Sequence, residues 1–269
     1  MKFIALVTDF GRVDSYVAEM HLAIHAAWPE ARILDVTHDI PPFDRARGAL
    51  AAERIADRLP AGSVLVVVVD PGVGSDRKRI VARRGNVCLV APDNGVLPIR
   101  NVDRVWEIAA NDSRAANAPT TFDGRDVFVP VAVRLARGVE PPMVGTALAH
   151  WTPCVLGEDA EWREVSGEWV AEGRVVAIDG FGNAVTNVRR RGEGEEEATG
   201  TGTGTGSGGE RYAVRAPTEF AGAVNGSYAA VQLGEGVAVF GSSGRMELAR
   251  REAASGVSVG TSVRVSVSV

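Results

Sequence analysis

Short apolar runs alternate with helix-like spacing through the first half of the chain. The runs are rich in β-branched residues and predict strands at residues 3–7, 33–36, 64–69, 80–81 and 87–90. Between them, apolar residues recur every three or four positions, which predicts helices after Asp14, over Ala46–Leu59 and over Val127–Leu135. Strands that alternate with helices favour an α/β fold with a mostly parallel sheet.

The second half has a different pattern, because its apolar segments are short, alternate with polar residues and are separated by glycines. This pattern predicts strands at residues 170–178, 184–188, 212–214, 228–232, 237–240 and 263–269. Closely spaced strands of this kind indicate a small all-β domain, either a barrel or a sandwich.

The change of pattern divides the chain. We predict an N-terminal α/β domain at residues 1–155, a linker at 156–168 and a C-terminal β-barrel-like domain at 169–269. Residues 191–210 contain consecutive glutamates followed by repeated Thr-Gly pairs. Because such a stretch can bury little apolar surface, we expect it to be a mobile insert.

Composition excludes several classes of protein. Of the 269 residues, 45% are hydrophobic and 23% are charged, which is not the balance of a disordered chain. The net charge of -5 argues against nucleic-acid binding. No apolar run is long enough for a membrane span, and the first residues do not resemble a signal peptide. The two cysteines form no Cys-x-x-Cys pair, so we expect free thiols and a cytoplasmic protein.

Two acidic residues directly follow predicted strands. Asp9 follows the first strand, and Asp70 follows the strand at residues 64–69. Ligands of open α/β sheets bind beside the carboxyl ends of the strands, so these two carboxylates are candidates for a shared site. The alternative is that each one caps a turn or the start of a helix.

Several common motifs are absent. No Gly-x-Gly-x-x-Gly follows the first strand, and there is no phosphate-binding P-loop and no Gly-x-Ser-x-Gly. His21 and His25 are four residues apart on a predicted helix, but no third metal ligand is near them in the sequence. We interpret them as part of a solvated or packed helix face, and the sequence predicts no metal site.

Five motifs occur in a fixed order along the chain. They are Thr8-Asp9-Phe10-Gly11, Val69-Asp70-Pro71-Gly72-Val73-Gly74, Pro92-Asp93-Asn94-Gly95, Thr121-Phe122-Asp123-Gly124-Arg125-Asp126 and Ile178-Asp179-Gly180-Phe181-Gly182-Asn183 with Thr186-Asn187. Together they resemble the S-adenosylmethionine (SAM) hydroxide adenosyltransferase family, the adenosine-forming SAM hydrolases. Its relatives are the SAM-dependent fluorinase and chlorinase.

The resemblance implies an N-terminal α/β domain, a C-terminal β-barrel and a homotrimer. It also implies that SAM binds between the N-terminal domain of one subunit and the C-terminal domain of its neighbour. In the implied reaction, water attacks the ribose C5′ of SAM and releases adenosine and L-methionine. SAM is then the substrate, and no cofactor is expected.

The resemblance assigns roles to individual residues. Asp9 resembles the carboxylate that holds the ribose hydroxyls. Substrate contacts are further implied for Phe43, Asn94, Asp179, Phe181, Asn183, Asn187 and Ser242. Asp70 and Arg77 resemble two members of an Asp-Arg-His triad that handles the attacking water.

The third member of the triad differs, because Asp123 stands where the family pattern has histidine. Asp123 could act as the base itself, or it could pair with Arg77 and hold it in place. A third interpretation is that this chain is slow or uses another nucleophile.

Three functions remain open on these residues: a hydrolase, a halogenase and a SAM-binding module without turnover. Halogenases lack the aspartate at the position of Asp70. A carboxylate about 4 Å from a halide costs on the order of 4 kcal/mol at an effective dielectric constant near 20. Asp70 and Asp123 would both repel chloride and could both accept a proton from water. The sequence therefore favours hydrolysis.

Overall fold

The computed structural model describes residues 1–98, 100, 102–109, 121–192, 211–216, 220 and 222–268. Most of the predicted insert, residues 193–210, lies outside the described residues. The chain divides into two compact units, Met1–Val155 and Leu156–Val269. Within the described ranges, no helix is both long enough and apolar enough to cross a membrane.

The first unit is an α/β structure built on a mixed sheet of seven described strands. Its strands are β1 (Ile4–Thr8), β2 (Ile33–Thr37), β3 (Val64–Val68), β4 (Arg79–Arg84), β5 (Val87–Pro92), β6 (Arg104–Ile108) and β7 (Gly145–Ala147). The spatial order is β2-β1-β3-β5-β4-β6-β7. The first four strands in this order are parallel, and the remaining pairings are antiparallel.

Three helices cover both faces of this sheet: α1 (Tyr16–Ala27), α2 (Arg45–Ala56) and α3 (Val129–Ala136). Strands β1 and β3, which are apolar except for Thr8, turn alternate side chains to the two faces, as a strand buried on both sides must. Leu6 and Val66 pack in the same core cluster as α1 and α3, whereas Val7 and Val67 pack in the cluster with α2. The predicted α/β class is thereby confirmed for this half.

The second unit is an antiparallel, nearly closed barrel-like sheet. Its strands are β8 (Trp162–Val165), β9 (Glu168–Ile178), β10 (Ala184–Arg189), β11 (Arg211–Arg215), β12 (Gly222–Ala223), β13 (Gly236–Phe240), β14 (Arg245–Arg250) and β15 (Ser262–Ser268). They follow the order β12-β11-β15-β9-β10-β14-β13, and β8 pairs with β9. A bridge between Asn225 and Val239 connects the two ends of this order. The predicted all-β second half is confirmed.

Some segments differ from the sequence-based expectation in detail. Residues 228–232 do not form a strand, because Tyr228–Ala230 is a short 3-10 helix whose side chains are exposed. The predicted strand was wrong because the local alternation lacks a buried face. The segment at residues 156–168 contains β8, which pairs with the start of β9.

Candidate active site

Asp9 and Asp70 lie at the same edge of the first sheet. Strands β1 and β3 are parallel neighbours, and Thr8 is in register with Val68. Burial raises the pKa of Asp9 above its ordinary value, and the negative charge of Asp70 raises it further, although the amide of Phe43 opposes both effects. The sequence-based expectation that the two carboxylates share one edge is confirmed.

Asp9 is held by the loop that precedes α2. The backbone N–H of Phe43 donates to Asp9 Oδ2 at 2.8 Å. Phe43 has a φ of 68°, a left-handed conformation that is strained for an aromatic residue, and its ring is exposed. Asp44 then caps α2 by accepting from the Arg47 N–H at 3.0 Å. The structure thus brings Asp9 and Phe43 together, with the ring of Phe43 on the surface.

Arg77 lies between two carboxylates. Its Nε donates to Asp70 Oδ1 at 2.9 Å, and its Nη2 donates to both Asp70 Oδ2 and Asp123 Oδ2. Burial opposes the charge of Arg77, but its bonds to the two carboxylates outweigh burial and raise its pKa above the ordinary value. The structure therefore brings together all three predicted catalytic residues.

One nitrogen of the Arg77 guanidinium takes no part in these bonds. Nη1 is buried and has no hydrogen-bond partner among the described residues. An unpaired buried N–H costs about 1–3 kcal/mol, so this nitrogen would gain from any acceptor that reached it. It belongs to the same guanidinium group that bonds Asp70, at the carboxyl end of β3.

Asp123 has a second arginine partner that sequence reasoning missed. Arg79 donates from Nε to Asp123 Oδ2 at 2.9 Å and from Nη2 to Oδ1 at 3.0 Å, a bidentate pair. The Asp123 side chain is 0% exposed and that of Arg79 is 29% exposed. Oδ2 of Asp123 therefore accepts from two arginines at once, which uses both of its lone pairs.

The segment around Asp123 is fixed by its neighbours. Asp123 directly precedes a π-helical turn, Gly124–Phe128, that leads into α3. The rings of Phe10, Tyr16 and Phe122 pack against one another with centroids 5.3–5.8 Å apart. Phe10 follows Asp9 and Phe122 precedes Asp123, so this aromatic cluster joins the two segments that carry the acids.

Asn94 supports the site through the backbone. Its Nδ2 donates to the Val69 carbonyl at 2.9 Å, and its Oδ1 accepts from the Val96 N–H at 3.1 Å. These bonds hold the end of β3 immediately before Asp70. In the structure the amide of Asn94 thus fixes the backbone of Val69 and of Val96.

In the second unit, three predicted residues share the turn between β9 and β10. Asp179 Oδ1 accepts from the backbone N–H groups of Phe181 and Asn183, both at 2.9 Å. Asn183 Nδ2 also donates to Asp179 Oδ2 at 3.1 Å. The Phe181 ring is 85% exposed. The turn thus presents an aromatic ring beside a carboxylate whose orientation is fixed.

Asn187 and Ser242 lie away from that turn. Asn187 accepts from the Arg174 N–H at 2.7 Å and donates to the Glu158 carbonyl at 2.9 Å, so its side chain links backbone segments. Ser242 lies in the turn between β13 and β14, which is bonded to Arg190 beyond the far end of β10. The structure does not bring either residue next to Asp179.

Models of the two domains of one family match most of the chain. The SAM hydroxide adenosyltransferase N-terminal domain matches residues 4–145, and the C-terminal domain of the same name matches residues 173–264. The chain belongs to the SAM hydroxide adenosyltransferase family.

Individual relatives agree with this membership. An (R)-S-adenosyl-L-methionine hydrolase of Salinispora arenicola is 40% identical over 67% of this chain and 70% of the relative. A fluorinase of Actinopolyspora mzabensis is 25% identical over 70% of this chain and 71% of the relative. The crystal structure of an uncharacterized conserved protein from Thermotoga maritima has a TM-score of 0.76 and 27% identity, over 98% of this chain and 99% of that one.

The geometry of the site distinguishes between the two roles that were open for Asp123, a general base and an anchor for Arg77. The Asp123 carboxylate is fully buried, and both of its oxygens already accept hydrogen bonds from arginines. The contacts therefore favour an anchor for Arg77 over a general base.

We predict that Asp123→Asn lowers the free energy of unfolding by about 3–5 kcal/mol, because a buried ion pair loses one partner. Asp126→Asn is the matched control. Asp126 also forms a bidentate pair, with Arg125, but its side chain is 20% exposed, so we expect a loss of about 1 kcal/mol or less. Urea unfolding measures both variants, and equal small losses would contradict the anchoring role.

Proposed function

We propose that this chain hydrolyses SAM to adenosine and L-methionine by attack of water at the ribose C5′. The observation that carries the proposal is the buried guanidinium of Arg77, which Asp70 and Asp123 hold with Nη1 unpaired. It combines with membership of a family in which relatives at 31–40% identity are named (R)-S-adenosyl-L-methionine hydrolases.

The reaction forms one bond and breaks one bond. The water oxygen bonds to C5′, and the C5′–S bond breaks with its electron pair moving to sulfur. Sulfur changes from a positively charged sulfonium to the neutral thioether of methionine, so the leaving group needs neither an acid nor a cofactor. One proton of the water must be removed as the C–O bond forms.

Arg77 and Asp70 suit the two tasks that remain. Nη1 of Arg77 can donate to the water oxygen and align it with C5′, an effect that can contribute several kcal/mol. Asp70 Oδ2 accepts one described bond, from Arg77, and keeps a lone pair for a proton of the water. Because the attacking oxygen becomes positively charged, even an ion-paired carboxylate can take that proton. Asp123 and Arg79 act as positioning residues for Arg77.

Asp9 and the Asp179 turn are the proposed binding groups. Asp9, fixed by the Phe43 amide, accepts from the ribose hydroxyls. Asp179, with the exposed ring of Phe181 beside it, offers a carboxylate to the methionine amine and an aromatic face to the adenine. Asn183 fixes this turn, and Ser242 remains a predicted contact to the methionine carboxylate.

Halogenation is the second candidate, and the structure changes the argument against it. The sequence suggests two acids with one arginine, whereas the structure adds Arg79, so the formal charges of the cluster cancel. The unpaired Nη1 of Arg77 could also donate to a chloride ion. What still disfavours a halide is the carboxylate of Asp70 beside that nitrogen.

We further propose that the enzyme is a homotrimer whose site takes the Asp70 cluster from one subunit and the Asp179 turn from its neighbour. The support is the family resemblance, together with the surface position of the Phe181 ring, which 85% exposure leaves available for a partner or ligand.

Product analysis tests the reaction and the role of Asp70. Purified protein incubated with SAM should form adenosine and methionine, and Asp70→Asn should reduce the rate by roughly 10² to 10⁴. Asp76→Asn, an exposed residue in the same loop, is the control and should keep the rate. Formation of 5′-chloro-5′-deoxyadenosine in chloride buffer would instead indicate a halogenase, and neither product would indicate a binding module.

Asp9→Asn should weaken SAM binding by about 10- to 150-fold, because a hydrogen bond to a charged group contributes about 1.5–3 kcal/mol. Calorimetry on the Asp70→Asn background separates binding from turnover. Unchanged affinity would remove Asp9 from the substrate site.

A mixing experiment tests the shared site. Asp70→Asn and Asp179→Asn should each be nearly inactive as pure proteins. If the site is shared between subunits, unfolding and refolding them together should restore part of the activity, because some sites then receive both native residues. If light scattering shows that the refolded mixture is trimeric but no activity is recovered, both residues belong to sites built from one chain.

A further inference from the structure

Three potential metal ligands, one from α1 and two from the end of β2, meet beside the first strand of the sheet. His21 lies on α1, Asp35 lies in β2 and His38 follows β2. The ligand atoms of these three residues lie within 4.8 Å of one another. His21 Nε2 is 2.9 Å and His38 Nε2 is 3.0 Å from the same oxygen, Asp35 Oδ1. Both imidazoles therefore direct Nε2 at one carboxylate oxygen.

The arrangement leaves a buried nitrogen unsatisfied. His38 is 1% exposed, and its Nε2 is close to Asp35 but is not aligned for a hydrogen bond with any described residue. Such a nitrogen is costly to bury unless something satisfies it. It is aimed into the cluster, where a cation between the three side chains would satisfy it.

The second nitrogen of His38 lies beside an oxygen that can orient the ring for a metal. Nδ1 lies 2.9 Å from the buried hydroxyl of Thr8, which fixes the plane of the ring. In metal sites the non-ligating nitrogen of histidine nearly always donates to a carboxylate, carbonyl or water oxygen, and the Thr8 hydroxyl offers an oxygen in the same position. When Nδ1 donates to Thr8, the lone pair of Nε2 is free for a metal.

We propose that His21, Asp35 and His38 form a zinc-binding site, with water as the fourth ligand. Two imidazoles and a carboxylate are typical zinc ligands, and two ligand atoms of a tetrahedral zinc stand about 3.4 Å apart. The observed separations of 2.9 and 3.0 Å would have to widen by a few tenths of an ångström, and all three ligand atoms lie within 4.8 Å of one another. The His21 and Asp35 side chains are 31% and 36% exposed, which gives the ion an entry path and room for the water.

The site would brace the loop that carries the proposed ribose contact. Thr8 immediately precedes Asp9, and the carbonyl of His38 accepts from the Gly11 N–H at 2.8 Å. Zinc would thus connect α1 and β2 to the end of β1. The inference does not rest on the proposed reaction, since it uses no residue of the Arg77 cluster.

Zinc titration of chelator-treated, dialysed full-length protein tests the proposal. We expect one Zn²⁺ per chain by calorimetry, an increase in Tm on adding zinc, and the visible spectrum of four-coordinate Co²⁺ when cobalt replaces zinc. His21→Ala changes a partly exposed position and should fold, but it should weaken zinc binding by at least about 100-fold, since loss of even an outer-shell partner costs 10- to 100-fold.

His25→Ala is the matched control. His25 lies one turn further along α1, is exposed, and bonds the Pro29 carbonyl at 3.1 Å. This variant should bind zinc like the unmodified protein. Absence of stoichiometric zinc binding, or equal zinc affinities for His21→Ala and His25→Ala, would overturn the proposal.

Discussion

A buried guanidinium held by carboxylates is the interaction on which the candidate site depends. Arg77 is 9% exposed at its side chain, and a charge in such a position is tolerable only when it is paired. Asp70 and Asp123 supply the pairing from two separate segments of the first unit. The cluster therefore connects the end of β3 to the turn before α3. The same ion pairs stabilise this part of the fold and hold the guanidinium of the candidate site.

Asp123, which stands where the family pattern has histidine, suits the charges of this cluster. An imidazole could accept a proton but would not balance a second arginine, whereas a carboxylate can bond Arg77 and Arg79 together. The buried charges then cancel, as a low-dielectric interior demands. This arrangement agrees with the proposed roles, in which Asp70 accepts the proton and Asp123 positions the guanidinium.

The sequence could predict features that follow from the pattern of a strand or helix. It could not predict contacts between side chains that are far apart along the chain. Asp9 and Asp70 were predicted to share an edge because each follows an apolar strand, and parallel strands end together. Arg79 was not identified, because an arginine at the start of a strand resembles a solvated charge and its partner is 44 positions away. The sequence also did not predict that His21 lies beside Asp35 and His38, because only the packing of α1 beside β2 brings these residues together.

In the proposed reaction, water aligned by Arg77 attacks C5′ of SAM. Turnover in water enriched in ¹⁸O, followed by mass spectrometry of the products, tests it most directly. We expect adenosine with one ¹⁸O at the 5′ position and unlabelled methionine. Label in an amino-acid product, or adenosine without label, would contradict attack by water at C5′.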